Sequence, residues 1–404
     1  MPDGGAMASG HGAPFVAAHV WRTLAAMTPS VTWPQALTWR LRRHHLDPVD
    51  AASAHDVVRD LCGIQAQVAS SAEQAIHVRR ATHDPDEVPA ALAAGTLLKT
   101  WAMRGTLHLL TPDVGPAFLS LMAAGRSWDR KSWVRVFGVT PDDVERLRVL
   151  VRDALMGRAL TREELIGAVT AHPGTDQLAE SLRSGWGTLL KPIAWQGDLC
   201  HGPMRGRNVT FQHPSDASPD WPGLPAPEVA APIAIAAYLR AYGPAPLDAF
   251  SGWLAGGYFG RTQLKAWQAA MGSRIAAVNV DGEPAFVLAD DLDELLATRP
   301  TDTLRLLPGF DQWVLGPGTD ARSVIDPARR RAVSRTAGWI APIVVRGGRV
   351  AGTWAQDGRT LALDWFAEAG PAPTEAALAG ELTRWSVIAG RSLDLTIKVA
   401  PAPG

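Results

Sequence analysis

The sequence predicts an α+β protein made of three successive units, each consisting of helices followed by a β-hairpin, with a β-rich C-terminal region. Three observations support this prediction. Apolar residues recur at helical spacing from Gln35 to about residue 300. Pairs of strand-like stretches follow the helices at 97–110, 199–211 and 275–288, and strand-like sequence dominates from Thr303 onward. Helices that end in a β-hairpin form a winged-helix pattern, so we predict tandem winged helices.

The composition is that of an ordinary globular protein. The chain has 404 residues, of which 47% are hydrophobic and 20% charged, and its formal net charge is -1. Such a balance gives no global attraction for nucleic acid, so any basic surface must be local. The two cysteines, Cys62 and Cys200, favour a reducing compartment over a disulfide framework. No apolar run approaches the length of a membrane span.

The first winged helix is expected over residues 33–139, after a disordered leader at residues 1–32 that is rich in Gly, Ala and Pro. Its first helix carries Leu37 and Leu41 on one side. A helix over 55–62 runs into Gly63, which fits a C-terminal capping position. Its wing is the hairpin over 97–110, which is interrupted at Arg104 and the glycine after it.

The connection Gly63-Ile64-Gln65-Ala66-Gln67 places two amide side chains two residues apart, between two predicted helices. Side chains at i and i+2 do not share a face of a helix. The two amides can therefore converge on one spot only if the backbone there is non-helical. Alone, such a pair most often belongs to a solvated turn, so its function depends on the motifs around it.

The second winged helix is expected over residues 140–213 and the third over 228–299, joined by a Pro- and Ser-rich linker at 214–227. Thr140 before Pro141 and Thr161 before Glu164 predict helix starts in the second unit. One helix is expected over 178–195. The third unit carries a hairpin that turns at Asp281-Gly282.

The β-rich region is expected over residues 300–404. It begins with a strand before Pro308-Gly309-Phe310-Asp311 and continues with a short basic helix after Asp326-Pro327. A hairpin follows in which Arg346 and Arg349 flank a Gly-Gly turn, and we expect this hairpin to contact DNA. A helix over 374–387 and a strand over 393–399 close the chain.

Taken in order, these motifs resemble those of the winged-helix DNA glycosylases of the AlkZ/YcaQ type, over roughly residues 33 to 400. The matching stretches are Gly-Ile-Gln-Ala-Gln at 63–67, Trp-Ala-Met-Arg-Gly-Thr-Leu-His-Leu at 101–109, Leu-Leu-Pro-Gly-Phe-Asp at 306–311, Ile-Asp-Pro at 325–327, Ala-Gly-Trp-Ile-Ala-Pro at 337–342 and Gly-Arg-Val-Ala-Gly-Thr-Trp at 348–354. The resemblance implies tandem winged helices that grip duplex DNA and remove alkylated purines. Some members excise bulky adducts or unhook crosslinks left by DNA-alkylating natural products. The family's catalytic motif is Gln-x-Gln in the AlkZ-like branch and Gln-x-Asp in the other, so the resemblance implies that Gln65 and Gln67 are catalytic.

Two amides suit the removal of a cationic base. Most glycosyl hydrolysis uses a carboxylic acid to protonate the leaving group. A purine alkylated at N7 already carries a positive charge and departs as a neutral base, so it needs no general acid. Glutamine carbonyl oxygens can hold a water and face an oxocarbenium-like sugar. We therefore expect a monofunctional glycosylase that uses water and needs no metal or cofactor. Lys99 is the only lysine near the motif in sequence, which gives a Schiff-base route little support.

Six side chains are candidate DNA contacts: Arg104, His108, Arg205, Arg207, Arg346 and Arg349. Arginines on wings can bind phosphates, although arginines at hairpin tips are also commonly just solvated. His108 alternates with two leucines and is either an outward lesion contact or a hydrogen-bonded framework residue. Asp311 is either a water-orienting carboxylate or a turn cap, and the cap is favoured.

The expected partner is double-stranded DNA with alkylated purines, bound by a monomer in the cytoplasm at the nucleoid, with no membrane association. The alternative is a non-catalytic winged-helix transcriptional regulator, which would dimerise and give a sequence-specific footprint. A third reading is a protein that sequesters an alkylating drug and binds it without DNA. The sequence does not decide between a small base that is extruded into a pocket and a bulky adduct that stays in the duplex.

Overall fold

The structure is a computed structural model that describes residues 28–183 and 187–402. Most of the predicted leader, residues 1–27, lies outside the described residues. The fold is α+β as predicted, and the strands of the described part form four small sheets. In this part the α-helices are α1 Trp33–Arg43, α2 Ala54–Asp60, α3 Ala69–His77, α4 Glu87–Ala93, α5 Gly115–Ala124, α6 Lys131–Phe137, α7 Pro141–Leu155, α8 Arg162–Thr170, α9 Ala179–Arg183, α10 Leu190–Trp195, α11 Pro214–Ala217, α12 Pro227–Tyr242, α13 Leu247–Ala255, α14 Arg261–Met271, α15 Leu292–Ala297, α16 Gln312–Leu315, α17 Arg330–Val333 and α18 Glu375–Ile388. The strands are β1 Ser30–Val31, β2 Ile64–Gln65, β3 Leu98–Trp101, β4 Leu107–Leu110, β5 Leu160–Thr161, β6 Cys200–His201, β7 Thr210–Gln212, β8 Ile275–Val280, β9 Glu283–Leu288, β10 Leu304–Leu307, β11 Ile343–Arg346, β12 Arg349–Asp357, β13 Thr360–Phe366 and β14 Asp394–Ala400.

The first unit contains the predicted hairpin, formed by β3 and β4, and β2 adds to its edge in the order β2-β4-β3. Its helices α2, α3 and α4 pack on one face of this sheet. Val57, Ile64, Ile76 and Leu109 lie in a core of their own there. The segment with both glutamines is therefore held between the helices and the wing.

The start of the first unit differs from the prediction, because β1 and α1 belong elsewhere. Strand β1 pairs with β8 of the third unit, so residues 28–32 are part of the fold rather than of a leader. Helix α1 is apolar on two sides. Ala36 and Trp39 pack with the third unit, whereas Leu37 and Leu41 pack with the C-terminal region. The sequence correctly predicts the apolar face with Leu37 and Leu41, but it does not predict that the C-terminal region covers this face.

The second unit has the predicted capped helices and its own small sheet, in the order β5-β7-β6. The single helix expected over 178–195 is wrong, since α9 and α10 are separate helices and Gly187 between them has a φ of +64°. The linker at 214–227 contains α11 and packs on its neighbours. The Ser120 hydroxyl donates to the Pro225 carbonyl, for example.

The third unit joins the others through buried helices. Helix α12 packs against α5, and both contribute to the largest core of the described residues. Its hairpin β8–β9 turns at Asp281-Gly282 as predicted, and both residues have positive φ. The C-terminal region is a five-stranded sheet in the order β10 to β14, antiparallel except for the parallel pair β13–β14, which α18 connects.

Candidate active site and DNA-binding surface

The double-glutamine segment is non-helical, as the sequence predicts. Helix α2 ends at Asp60, and Gly63 turns the chain into β2 with a φ of +92°. A β-carbon on Gly63 would lie 2.6 Å from Leu110 Cδ2 and 3.0 Å from the Leu109 carbonyl oxygen. Only glycine allows both the positive φ and this close approach to β4. The glycine therefore sets the position of the two amides that follow it.

Gln65 is nearly buried, with 8% of its surface exposed, and it is the direct cross-strand partner of His108. Partners across an antiparallel pair point to the same face of the sheet. No other group of residues 28–183 and 187–402 forms a hydrogen bond with the Gln65 amide. Neither polar atom of the Gln65 amide is among the fully buried, unpartnered atoms of the described residues, so the amide keeps some accessible surface and can bind a polar group that enters from outside.

Gln67 is exposed and lies beside the start of β4. The Leu107 amide donates to Gln67 Oε1 over 3.4 Å, which is a long hydrogen bond. The Ala66 amide donates to the Leu107 carbonyl over 2.7 Å and keeps the segment against the hairpin. The structure thus places one accessible amide and one buried amide on the same short segment.

His108 is fully buried, so its assignment as a DNA contact is corrected to the framework alternative. Its Nδ1 lies 3.0 Å from the Thr106 carbonyl oxygen, and its Nε2 is buried without a partner in the described chain. Burial, together with the nearby charge of Arg104, lowers the pKa of His108 to about 3. The ring beside Gln65 is therefore neutral at physiological pH.

Arg104 also needs correction, because it points into the protein. It occupies the break in the hairpin with a φ of 55°, and its guanidinium donates to the Trp253 carbonyl of α13. Burial lowers the pKa of Arg104. The arginine therefore joins the first wing to the third unit. Sequence alternation could not reveal this contact, because its partner lies far along the chain.

Lys191 is a residue near the site that sequence reasoning missed. It lies on α10, and its Nζ is 3.7 Å from the position that a β-carbon on Gly105 would occupy. Burial lowers the pKa of Lys191, and no carboxylate of the described residues pairs with it. Lys99, the lysine singled out from the sequence, instead lies beside Glu73. Burial lowers the pKa of Lys99, and burial also raises that of Glu73.

The wing arginines Arg205 and Arg207 are both exposed on the second hairpin. Arg205 Nη1 donates to both carboxylate oxygens of Glu164, at 2.7 and 2.9 Å. Its Nη2 donates to the Ala159 carbonyl. Arg207 has no ionic or hydrogen-bonding partner among the residues that the structure describes. Arg207 is therefore available to a phosphate at once, whereas Arg205 would have to leave a surface ion pair.

The Gly-Gly hairpin packs against the rest of the protein, and the DNA contact expected there stays a prediction. Arg346 makes a bidentate ion pair with Asp302 at 2.7 and 2.8 Å. The Trp313 indole donates to the Gly348 carbonyl over 3.0 Å, and Leu37 of α1 packs against this glycine. Arg349 is exposed but donates to the Ser323 carbonyl. The turn is covered because α1 occupies the space in front of it.

Asp311 is a buried cap, as favoured from the sequence. It accepts from the Trp313 amide at the start of α16 over 2.7 Å. It also forms a bidentate ion pair with Arg79, at 2.7 and 2.8 Å, with both side chains essentially inaccessible. The carboxylate therefore ties the first unit to the C-terminal region and is not free to orient a water.

Neither a membrane span nor a metal site is present among residues 28–183 and 187–402. No helix among them is long and apolar enough to cross a membrane. No cluster of three or more His, Cys, Asp or Glu side chains there could hold a metal ion.

Comparisons with known proteins agree with this fold. Residues 58–387 match the sequence model of the DNA glycosylase AlkZ-like family. An interstrand DNA cross-link repair glycosylase of Streptomyces sahachiroi is 46% identical over 346 residues, which cover 85% of this chain and 93% of the relative. The solved structure of Streptomyces sahachiroi DNA glycosylase AlkZ superposes with a TM-score of 0.89 at 44% identity, covering 92% of this chain and 100% of that one.

These matches show that the protein is a DNA glycosylase rather than a non-catalytic regulator. The chain belongs to the AlkZ-like DNA glycosylase family.

Proposed function

We propose that this glycosylase hydrolyses the N-glycosidic bond of cationic, N7-alkylated purines in duplex DNA, with Gln65 and Gln67 as its catalytic residues. The observation that carries the proposal is the unpartnered, nearly buried Gln65 amide beside the exposed Gln67. An attacking water or a sugar oxygen would satisfy this amide. The protein is proposed to act as a monomer, in the cytoplasm at the nucleoid.

The absence of an acid among the motif side chains and His108 supports a cationic lesion. Both motif side chains are uncharged, and the low pKa of His108 keeps that ring neutral as well. A site without a general acid cannot assist the departure of a normal base, which would leave as an anion. The alkylated base needs no proton, so orientation of the water and stabilisation of the sugar cation by amide dipoles are sufficient.

We propose that Arg205 and Arg207 on the second wing, together with Lys191 beside the first, bind DNA phosphates. Arg207 is exposed and unpaired within the described residues. Lys191 places an ammonium next to the hairpin that contacts Gln67. Phosphate contacts of this kind position the duplex without reading its sequence, as expected for an enzyme that follows damage.

The relative from Streptomyces sahachiroi is named for interstrand cross-link repair, and a similar substrate is proposed here. Gln67 is exposed rather than at the bottom of a deep pocket. An exposed catalytic amide can reach a bulky adduct that stays in the groove. The same chemistry applies to crosslinks made through purine N7, because each linked base is a cationic leaving group.

The proposal is tested by base release from three duplexes that differ at one position: 7-methylguanine, unmodified guanine and an N7-linked crosslink. We expect release from the first or the third and none from the second. The abasic product should remain uncut until alkali is added, and borohydride should trap no protein–DNA adduct, since water is the nucleophile.

Lys191→Gln is the matched control for the borohydride experiment, because Lys191 is the amine that the structure places at the first wing. Trapping by the wild type would contradict the hydrolytic mechanism, and loss of trapping in this variant at a protein concentration that saturates the duplex would identify Lys191 as the amine. Release of unmodified guanine at a comparable rate would contradict the requirement for a cationic base.

A further inference from the structure

The exposed helix α6, Lys131–Phe137, has no role in the site described so far. None of its residues is fully buried. Trp133 and Phe137 contact each other on its inner side, with ring centroids 4.5 Å apart. Its outer side presents Lys131, Ser132, Arg135 and Val136, and Val136 is 66% exposed.

The outer side of α6 carries unbalanced positive charge. Lys131 and Arg135 are separated by one helical turn, where like charges repel each other. Neither has an acidic partner in residues 28–183 and 187–402. The preceding Arg130 stacks over the Tyr258 ring, 4.1 Å from its centroid, and adds a third cation. A polyanion on this face would relieve the repulsion.

Ring contacts connect the start of α6 to the first wing, the hairpin β3–β4. Trp128, just before α6, is buried and stacks nearly parallel to Trp195, with centroids 6.4 Å apart. Trp195 in turn packs against Gly105 at the turn of the first wing. Helix α6 therefore lies near the turn of the first wing, which we call the rim of the site. Lys191 is also at this rim, because it lies on α10 together with Trp195. A duplex at Gln67 would extend past this rim.

We propose that the outer face of α6 binds the phosphate backbone of the duplex beside the lesion, with Lys131 and Arg135 each contacting one phosphate. The partner is DNA because the face offers two exposed cations and a small apolar side chain, without an acidic residue. The net charge of the chain is -1, so such a local cluster is what electrostatic attraction to DNA requires. The inference rests on the proposed function in one respect, which is that the lesion lies at Gln65 and Gln67.

The test is the salt dependence of binding to an undamaged duplex, measured by fluorescence anisotropy between 50 and 200 mM salt. Each neutralised phosphate contributes about 0.9 to the slope of log affinity against log salt. Lys131→Gln with Arg135→Gln should therefore make the slope less steep by about 1.8. The conservative pair Lys131→Arg with Arg135→Lys should retain the wild-type slope.

The matched control is Arg391→Gln with Lys398→Gln, which removes two exposed charges from the C-terminal region. We expect it to leave the slope unchanged. A wild-type slope in the α6 variant, or an equal loss in the control, would overturn the inference. Because binding to undamaged DNA does not depend on excision, failure to release 7-methylguanine would count against the proposed substrate and leave this result standing.

Discussion

Gln65 and His108 face each other across the antiparallel strands β2 and β4, and both side chains are shielded from solvent. The histidine is held by the Thr106 carbonyl and is neutral because burial lowers its pKa to about 3. Because cross-strand partners share a face of the sheet, the His108 ring is an uncharged neighbour of the Gln65 side chain. We therefore expect His108 to support Gln65 as a framework residue.

Replacing His108 by alanine should destabilise the fold and lower excision. The change removes a fully buried ring from the contact with β2, and large-to-small changes in a core typically cost on the order of 2–4 kcal/mol. Urea denaturation and single-turnover excision measure the two effects. His172→Ala, at an exposed position, is the control and should change the free energy of unfolding by less than about 0.5 kcal/mol. Equal stability of the two variants would contradict the framework role.

Asp311→Asn should destabilise the protein without altering the chemical step. The change leaves the buried Arg79 charge unpaired, which costs about 3–5 kcal/mol. At a temperature where the variant is folded, its single-turnover rate should stay within about threefold of the wild type, a difference below 1 kcal/mol. A large loss of rate in a folded variant would restore the water-orienting role for Asp311.

Stability should fall as the pH drops below 6.5. Burial lowers the pKa of His77 to about 4 and those of His108 and His201 to about 3, against 6.5 in the unfolded chain. Between pH 6.5 and these values the unfolded state binds more protons, so the free energy of unfolding decreases as pH falls. His45 opposes the trend, since its hydrogen bonds with Asp60 and Asp50 outweigh burial and raise its pKa.

Urea denaturation at pH 7.5, 6.5 and 5.5 measures this dependence. The prediction is a small loss of free energy of unfolding between pH 7.5 and 6.5, where the histidines of the unfolded chain become half protonated, and a larger loss at pH 5.5. His201→Phe should show a weaker loss, because one of the depressed titrations is gone. A free energy that is the same at all three values would show that these histidines are not buried in the neutral form.

Arg207→Gln and Arg346→Gln should affect DNA binding differently. Arg207 is exposed and unpaired among the described residues, so its loss should reduce the salt slope by about 0.9. Arg346 is already bound to Asp302 on a turn that packs against the rest of the protein, so its loss should leave the slope unchanged. The reverse order of effects, measured by anisotropy at several salt concentrations, would assign the DNA contact to the Gly-Gly hairpin instead of the second wing.

Local features were predictable from the sequence. The capping boxes of α7 and α8, the turn at Asp281 and the non-helical glutamine segment all depend on residues within a few positions of each other. The chemistry of the amide pair could also be reasoned from residue type. Each of these rests on short-range geometry that the residue types themselves dictate.

Long-range packing was not predictable in the same way. Arg79 meets Asp311 across 232 positions, and Arg104 reaches Trp253 across 149. Alternation along β4 suggested an outward His108, but both faces of this strand are covered because the other units pack against the sheet. Lys191 was missed for the same reason: only the fold brings α10 to the first wing.

The most direct test of the account is single-turnover release of 7-methylguanine by the wild type and by the Gln65→Ala, Gln67→Ala double variant. We predict that the double variant is slower by at least about 100-fold, the scale of loss when a dipole facing a transition state is removed. Gln67→Ala alone, at an exposed position, keeps the test valid if the buried change impairs folding, and Gln263→Ala is the exposed control. Unchanged release by the folded double variant would contradict the assignment of the two glutamines.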